Sequence, residues 1–143
     1  MTDEARSLVL AALAMGGWMI LLTGAVVSSR GAMMATEGRK VNDFPAGVPH
    51  GSDRYWRLNR AHANAAENLG LVAAVLFGAA MAGVTGADAL WLPWVVVAAR
   101  MVQSTVHIAS GSAPAVLVRA TAFSVQLGCL LWLGGRAAAA LVS

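Results

Sequence analysis

The sequence predicts an all-α membrane protein in which four transmembrane helices form a bundle, with residues 1–143 as a single domain. Two observations favour this fold. Of the 143 residues, 58% are hydrophobic and only 12% are charged, whereas soluble domains have about a quarter of their residues charged. Mean hydropathy is +0.66, and four apolar windows are each long enough to cross a bilayer core of about 30 Å, which takes roughly 20 helical residues.

The four windows predict helices at residues 8–29, 53–84, 90–109 and 115–142, with a long polar loop at residues 31–52. The first window is expected to remain as a helix, because it is longer than the apolar segment of a signal peptide and follows acidic residues. Ser52 or Asp53 is expected to cap the second helix. Near the end of the fourth helix, Arg136 is expected to extend to the membrane surface.

Positive charge is concentrated around the long loop, at Arg30, Arg39, Lys40 and Arg54, whereas the connection at residues 85–89 contains only an aspartate. The positive-inside rule therefore predicts a cytoplasmic loop, with both termini on the outer side. The net charge of +3 is small and dispersed, so a nucleic-acid partner is not expected. Because the three histidines are far apart in sequence and no cysteine or carboxylate spacing accompanies them, no metal site is predicted.

The densest polar segment, residues 57–68, opens the second helix. At about 100° per residue, one face of this helix contains the following side chains: Arg57, Arg60, Asn64, Glu67 and Asn68. His62 is predicted to point away from that face. The third and fourth helices have comparable polar faces, formed by Arg100, Gln103 and His107 and by Arg119, Phe123 and Gln126.

All four helices place these polar residues towards the predicted cytoplasmic end. An ionised residue near the bilayer centre costs about 2.5 to 3.5 kcal/mol, so these residues are expected to face one another or a wet cavity. In a structural interpretation, Glu67 pairs with Arg60 or Arg100. In a binding interpretation, the excess of arginine over this one carboxylate predicts an anionic ligand that has carboxylates. Arg30 and Arg57 have a further alternative, contact with anionic lipid.

The segment Arg60-Ala61-His62-Ala63-Asn64-Ala65-Ala66-Glu67-Asn68 resembles the R-A-x-x-N-x-x-E signature of the MAPEG family, the membrane-associated proteins in eicosanoid and glutathione metabolism. The likeness extends to Ser28-Ser29-Arg30, Arg100 and Arg119, and is to microsomal glutathione transferase-like members of bacterial type. It implies a homotrimer in the inner or plasma membrane. Glutathione would be the co-substrate, bound between subunits near the cytoplasmic side.

The resemblance implies glutathione-binding roles for eight residues: Arg30, Arg60, His62, Asn64, Glu67, Asn68, Gln103 and His107. Within this set, Glu67 would bind the amino group and the arginines would bind the carboxylates, while Arg30 and His62 would come from the neighbouring subunit. Arg119 resembles the catalytic arginine that stabilises the glutathione thiolate, because a guanidinium beside a thiol favours the anion.

Phe123 and Ala120 stand where the prostaglandin-synthase branch has a tyrosine and a serine, so a dedicated eicosanoid synthase is not expected. The leading hypothesis is a glutathione transferase or peroxidase that acts in detoxification on hydrophobic electrophiles or lipid hydroperoxides from the bilayer. A second is a non-catalytic protein that binds lipid or glutathione. A third is a small proton-coupled transporter with Glu67 as its membrane carboxylate, although nearby arginines would keep that carboxylate ionised.

Overall fold

The computed structural model describes residues 1–142, and their only regular secondary structure is four α-helices: α1 (Asp3–Glu37), α2 (Asp53–Met81), α3 (Ala87–Ala109) and α4 (Ala113–Val142). Each helix is long and apolar enough to cross a membrane. The predicted all-α fold with four transmembrane helices is confirmed, and the protein is an integral membrane protein.

The helix ends follow from local sequence. Thr2 and Ser52 accept hydrogen bonds from the backbone N–H groups of Ala5 and Tyr55 and so cap α1 and α2. Gly38 ends α1 in the left-handed conformation with φ of 67°, which glycine adopts without a steric cost. Of the two predicted caps for the second helix, Ser52 has this role.

Several predicted boundaries are wrong. Three helices begin earlier than predicted, at Asp3, Ala87 and Ala113 instead of residues 8, 90 and 115. Two helix ends differ as well. The first helix does not end at residue 29, because Gly31–Glu37 continues α1 for about two more turns before Gly38 stops it. Residues 31–37 include alanine, methionine and glutamate, which are good helix formers, whereas the loop prediction relied on the charge of Arg30 and on Gly31 directly after it. The second helix ends at Met81 and not at residue 84. Gly83, two residues after this end, adopts a positive φ of 69°.

The helices pack as a rhombus. In it, α2 and α3 contact each other and form the middle, while α1 and α4 lie on opposite sides of this pair. Within residues 1–142, no contact joins α1 to α4. The end of the bundle with residues 38–52 is called the loop end, and the opposite end, where the chain begins, the terminal end. A continuous apolar core that includes Leu8, Val72 and Leu133 fills the terminal half. In the loop half only a small cluster around Leu22 and Leu58 remains, which leaves space for polar side chains.

At the terminal end, a polar contact joins α3 to α4. Asp88 forms a salt bridge with Arg136 and accepts a hydrogen bond from Trp132 Nε1 at 2.7 Å. Arg136 also donates to the Thr85 carbonyl at 2.8 Å. Arg136 therefore extends towards the terminal end of the bundle and pairs there with a carboxylate in the first turn of α3, while its position at the membrane surface stays a prediction.

Candidate functional site

A cavity of about 400 Å³ lies at the loop end, over the outer face of α2. Six of the residues predicted from the sequence line it: Arg30, Arg60, His62, Asn64, Glu67 and His107. They come from α1, α2 and α3, so three helices contribute to one concave site. The cavity volume falls in the usual range for small-molecule sites, about 300 to 1,000 Å³.

The polar face of α2 divides between the cavity and α3. Arg60 and Glu67 are exposed and line the cavity, whereas Arg57 Nε donates to the Ile108 carbonyl of α3 at 3.0 Å. His62 lines the same cavity, and its Nε2 lies 3.2 Å from Thr23 Oγ1 of α1. At about 100° per residue, His62 lies on a different side of α2 from Arg60 and Glu67, yet the cavity is wide enough to include all three. The contribution of Arg30 and His62 to the site of a neighbouring subunit stays a prediction.

Arg30 is held above the cavity by three groups. Its Nε donates to the Tyr55 hydroxyl at 2.9 Å and its Nη2 to Asn59 Oδ1 at 3.4 Å. The guanidinium carbon lies 5.5 Å from the centre of the Phe44 ring, within the range of a cation–π contact. These contacts fix the orientation of Arg30, while its remaining N–H groups are left for a ligand.

The loop between α1 and α2 covers the cavity. Pro45, Ala46, Gly47 and His50 line it, and the His50 ring packs against the rings of Phe44, Tyr55 and Trp56 at centroid distances of 5.9, 5.3 and 6.0 Å. Sequence reasoning missed these loop residues, as well as Asn59 and Trp56. A signal was present: Phe44, Tyr55 and Trp56 are the only Phe, Tyr or Trp residues between Trp18 and Phe77.

Arg100 is fully buried, with 0% exposure, in the centre of the bundle. Its Nη1 donates to Asn64 Oδ1 at 2.8 Å, and its guanidinium carbon lies 6.0 Å from the Phe123 ring centre. Its Nε and Nη2 atoms have no hydrogen-bond partner among residues 1–142. Within the same residues, no ion pair includes Glu67. The structural interpretation, in which Glu67 pairs with Arg60 or Arg100, is therefore wrong, and the amide of Asn64 is the partner of Arg100.

Three predicted residues do not line the cavity. Asn68 donates through Nδ2 to the Asn64 carbonyl one turn earlier, at 2.9 Å, and Gln103 is buried in the bundle with its Oε1 unpartnered within the described chain. Arg119 is half-buried on α4. It lies within electrostatic range of His107, a lining residue of the cavity, as Arg57 and Arg60 also do.

The donors and acceptors of the cavity follow from these contacts. Arg100 can only donate, so the amide oxygen of Asn64 must face it and the Asn64 Nδ2 group remains as a donor for the cavity. Arg30 and Arg60 add two cations, and Glu67 is the one carboxylate among the lining residues. Among residues 1–142, no group of His, Cys, Asp or Glu side chains is placed to hold a metal ion. The site suits a zwitterionic ligand with net negative charge.

A comparison with family models matches residues 8–139, nearly the whole chain, to the MAPEG family. No curated protein matches the chain. The matched range covers most of every helix and all of the lining residues of the cavity. With four helices suited to a membrane and a family match of this extent, the chain belongs to the MAPEG family.

Proposed function

We propose that this protein binds glutathione in the loop-end cavity and conjugates it through its thiolate sulfur to hydrophobic electrophiles, or uses this thiolate to reduce lipid hydroperoxides. The observation that carries the proposal is the convergence of Arg30, Arg60 and Glu67 on one cavity. Glutathione has two carboxylates and one ammonium group at neutral pH. Two guanidinium groups and one carboxylate match that charge pattern, and guanidinium groups bind carboxylates with strong, directional hydrogen bonds.

The dimensions of the cavity also support a tripeptide ligand. The cavity runs along α2 from Trp56 to Glu67, a rise of about 16 Å at 1.5 Å per residue. An extended tripeptide spans about 10 to 11 Å. A ligand of this length reaches from the carboxylate of Glu67 towards Arg30 and the loop.

Arg119 would act on the thiol. A cationic guanidinium close to a thiol lowers its pKa and increases the thiolate fraction, and the thiolate is the nucleophile. In conjugation, sulfur attacks the electrophilic carbon and the leaving group departs with the bonding electrons. In hydroperoxide reduction, sulfur takes the terminal oxygen and an alcohol leaves, after which a second thiol forms a disulfide and releases water.

The outer face of α2 supports a homotrimeric assembly. Arg60 and Glu67 are exposed on this face within a helix that is long and apolar enough to span the membrane. Their contact with lipid would cost about 2.5 to 3.5 kcal/mol for each charge. The same exposed face also has small residues, Ala63, Gly70 and Ala74, that permit close helix approach. A second copy would cover the charges and close the cavity. Light scattering of the purified protein tests this, and a monomer would contradict it.

The arginines and lysine around the loop favour a cytoplasmic loop end. Glutathione would then enter from the cytoplasm, and the apolar co-substrate would arrive from the bilayer. Cysteine accessibility to a membrane-impermeant reagent, with a single cysteine introduced at Arg39 in a Cys129→Ala background, tests the orientation. Labelling from the outside of intact cells would contradict it.

Binding is the first test of the function. Isothermal titration of the detergent-solubilised protein with reduced glutathione is expected to show saturable binding, and Arg60→Gln is expected to weaken it at least about tenfold because a charged contact is lost. Arg54→Gln, at the same end but outside the cavity, is the matched control. Wild-type protein without measurable binding would overturn the proposal.

A non-catalytic binding protein is the second candidate function. One observation favours it: Arg119 does not line the cavity in the single chain. Glutathione binding without turnover across a panel of electrophiles and lipid hydroperoxides would establish this alternative. Turnover of any of these substrates, lost in Arg119→Gln, would exclude it.

A further inference from the structure

A second cavity, of about 480 Å³, lies at the loop end between α1, α2 and the end of α3. It is called the α1–α2 groove, and six of its lining residues define it: Ala25, Ala32, Glu37, Arg54, Leu58 and Ile108. It shares no lining residue with the loop-end cavity. At about 100° per residue, Leu58 lies about 160° around α2 from Arg60, so the groove is on the other side of this helix from the charges of that cavity. The groove is therefore a separate candidate site.

The lining of the α1–α2 groove changes from apolar to charged along its length. Ala25, Leu58 and Ile108 form one end, and the last two belong to the apolar cluster of the loop half. Glu37, the last residue of α1, and Arg54, in the first turn of α2, form the other end. From Ala25 to Glu37 the groove follows α1 for about 18 Å, at 1.5 Å per residue. This length is close to the hydrocarbon thickness of one leaflet, about 15 Å, so the groove suits a molecule with an acyl chain and a polar head.

The position of the groove along α1 indicates that its occupant is a membrane lipid. The apolar window of this helix ends at residue 29. Ala25 therefore lies on the hydrocarbon side of that point, whereas Glu37 lies about 12 Å beyond it, towards the aqueous side. Ala25 and Ala32 are exposed, so the groove is open to the surroundings of the bundle. At this level the acyl chains of the bilayer meet the phospholipid headgroups.

Two side chains at the charged end match the two charges of one kind of headgroup. Among residues 1–142, no ion pair includes Arg54, and its guanidinium group can bind a phosphate. Glu37 accepts a hydrogen bond from Arg39 Nε through Oε2 at 2.9 Å, which leaves Oε1 as an acceptor. A primary ammonium group donates to such an oxygen, whereas the quaternary ammonium of choline has no N–H to donate. Phosphoethanolamine combines a phosphate with a primary ammonium group.

We propose that the α1–α2 groove binds a phospholipid with an ethanolamine headgroup. One acyl chain lies along the apolar end, the phosphate binds Arg54 and the ammonium group binds Glu37. The headgroup then bridges the end of α1 and the start of α2, the two helices that the long loop connects. The inference does not depend on the proposed glutathione binding, because the two sites share no lining residue.

The test compares three lipids that have the same acyl chains and different headgroups: ethanolamine, choline and glycerol. The first two have the same charges and differ in their N–H groups, whereas the glycerol headgroup has the phosphate without an ammonium group. Native mass spectrometry of the delipidated full-length protein in detergent measures the apparent dissociation constant of each lipid. The wild type is expected to bind the ethanolamine lipid about threefold to tenfold more tightly than either of the others, the effect of one hydrogen bond.

Three variants test the contacts of the headgroup. Glu37→Ala is expected to lower the affinity for the ethanolamine lipid to that for the choline lipid, because the acceptor of the ammonium group is lost. Arg54→Gln is expected to weaken the binding of all three lipids about threefold or more, since each of them has the phosphate. Asp53→Ala removes a carboxylate at the same end that does not line the groove, and it is expected to keep the wild-type preference.

A further pair of variants tests the acyl chain. Ala32→Trp fills the groove and is expected to weaken the binding of the ethanolamine lipid about tenfold, because the chain loses buried apolar contacts. Ala35→Trp places the same side chain outside the groove, on an exposed position of α1, and is expected to keep the wild-type affinity. Thermal unfolding confirms that each variant is folded.

Four results would overturn the inference. The first is equal affinity of the wild type for the ethanolamine and choline lipids, and the second is an unchanged preference in Glu37→Ala. The third is binding of the glycerol lipid at least as tight as that of the ethanolamine lipid, which would indicate a site for anionic lipid instead. The fourth is equal affinity of Ala32→Trp and Ala35→Trp for the ethanolamine lipid.

Discussion

Arg100 donates a hydrogen bond through Nη1 to Asn64 Oδ1 at 2.8 Å, and this bond joins the most deeply buried cation of the bundle to the wall of the cavity. The two residues lie on different helices and 36 positions apart in sequence. Because the bond occupies the amide oxygen of Asn64, it also determines that this side chain offers a donor to a ligand. A contact between a core residue and a cavity residue thus sets part of the chemistry of the site.

The first prediction concerns the stability that this hydrogen bond provides. Asn64→Leu is expected to lower the free energy of unfolding by about 2 to 3 kcal/mol, because a buried cation loses its one hydrogen-bond acceptor among the described residues. The double variant Asn64→Leu with Arg100→Met is expected to be more stable than Asn64→Leu alone, since no orphaned charge remains. Denaturant titration in detergent, followed by circular dichroism, measures both.

Asn68→Leu is the control for that prediction. Asn68 donates only to a carbonyl of its own helix, so its replacement is expected to change stability little. Equal destabilisation by the Asn64 and Asn68 variants would show that the bond to Arg100 has no special role.

The second prediction concerns the hydroxyl group that orients Arg30. Tyr55→Phe keeps the ring that packs on His50 and removes the acceptor of Arg30 Nε. Glutathione affinity is expected to fall about threefold to tenfold, with the unfolding midpoint nearly unchanged. Ser29→Ala removes a hydroxyl from the residue next to Arg30, but that hydroxyl bonds the Ala25 carbonyl and does not line the cavity. If both variants have wild-type affinity, Arg30 does not need this support.

The third prediction assigns thiol activation to Arg119. Arg119→Gln is expected to reduce kcat for glutathione conjugation of chlorodinitrobenzene about 100-fold, while the dissociation constant of glutathione changes little, because the charge acts on the thiolate. Steady-state kinetics and titration separate the two effects. Arg54→Gln removes a cation from the same end, outside the cavity, and should retain full activity. Unchanged turnover in Arg119→Gln would exclude Arg119 as the activating group.

The fourth prediction separates the two ends of the bundle. Asp88→Asn is expected to lower the free energy of unfolding by about 1 to 2 kcal/mol, because the charge that pairs with Arg136 is lost and the hydrogen bond from Trp132 is weakened. Glutathione affinity should stay at the wild-type value, since the cavity lies at the opposite end. Asp3→Asn breaks an ion pair whose aspartate side chain is 81% exposed, and little change in stability is expected. Similar effects of the two variants on the free energy of unfolding would show that the contact between Asp88 and Arg136 does not stabilise the bundle.

Hydropathy and helical periodicity were sufficient to predict the four helices and the part of the site that lies on them. Arg60, Asn64 and Glu67 follow a regular spacing on one helix, so their shared location was visible before the fold was known. The partner of Arg100 was not, because Asn64 and Glu67 are one turn apart and only helix rotation decides which of them faces α3. Charge alone favoured Glu67 as the partner of Arg100, whereas in the structure the partner is the amide of Asn64.

The loop residues could not be predicted for a different reason. His50 and Phe44 have no periodic pattern, and their contacts with Tyr55, Trp56 and Arg30 depend on how the loop folds back over α2. The pairing of Asp88 with Arg136, 48 positions apart, depends on helix packing in the same way. Single-sequence patterns report which face of a helix is polar, but they do not report the long-range contacts that this face makes.

The uneven apolar core has a mechanical consequence. The apolar core and a salt bridge join the helices in the terminal half, whereas a smaller apolar cluster and a few hydrogen bonds join them at the loop end, so the loop end is the less tightly packed one. For a span of about 30 Å, a tilt of about 3° moves the loop end of a helix by about 1.5 Å, half the length of a hydrogen bond. The two flanking helices do not touch each other, so one can tilt without the other. Small rigid movements of the helices can therefore change the distances between the lining residues and a ligand without repacking the core.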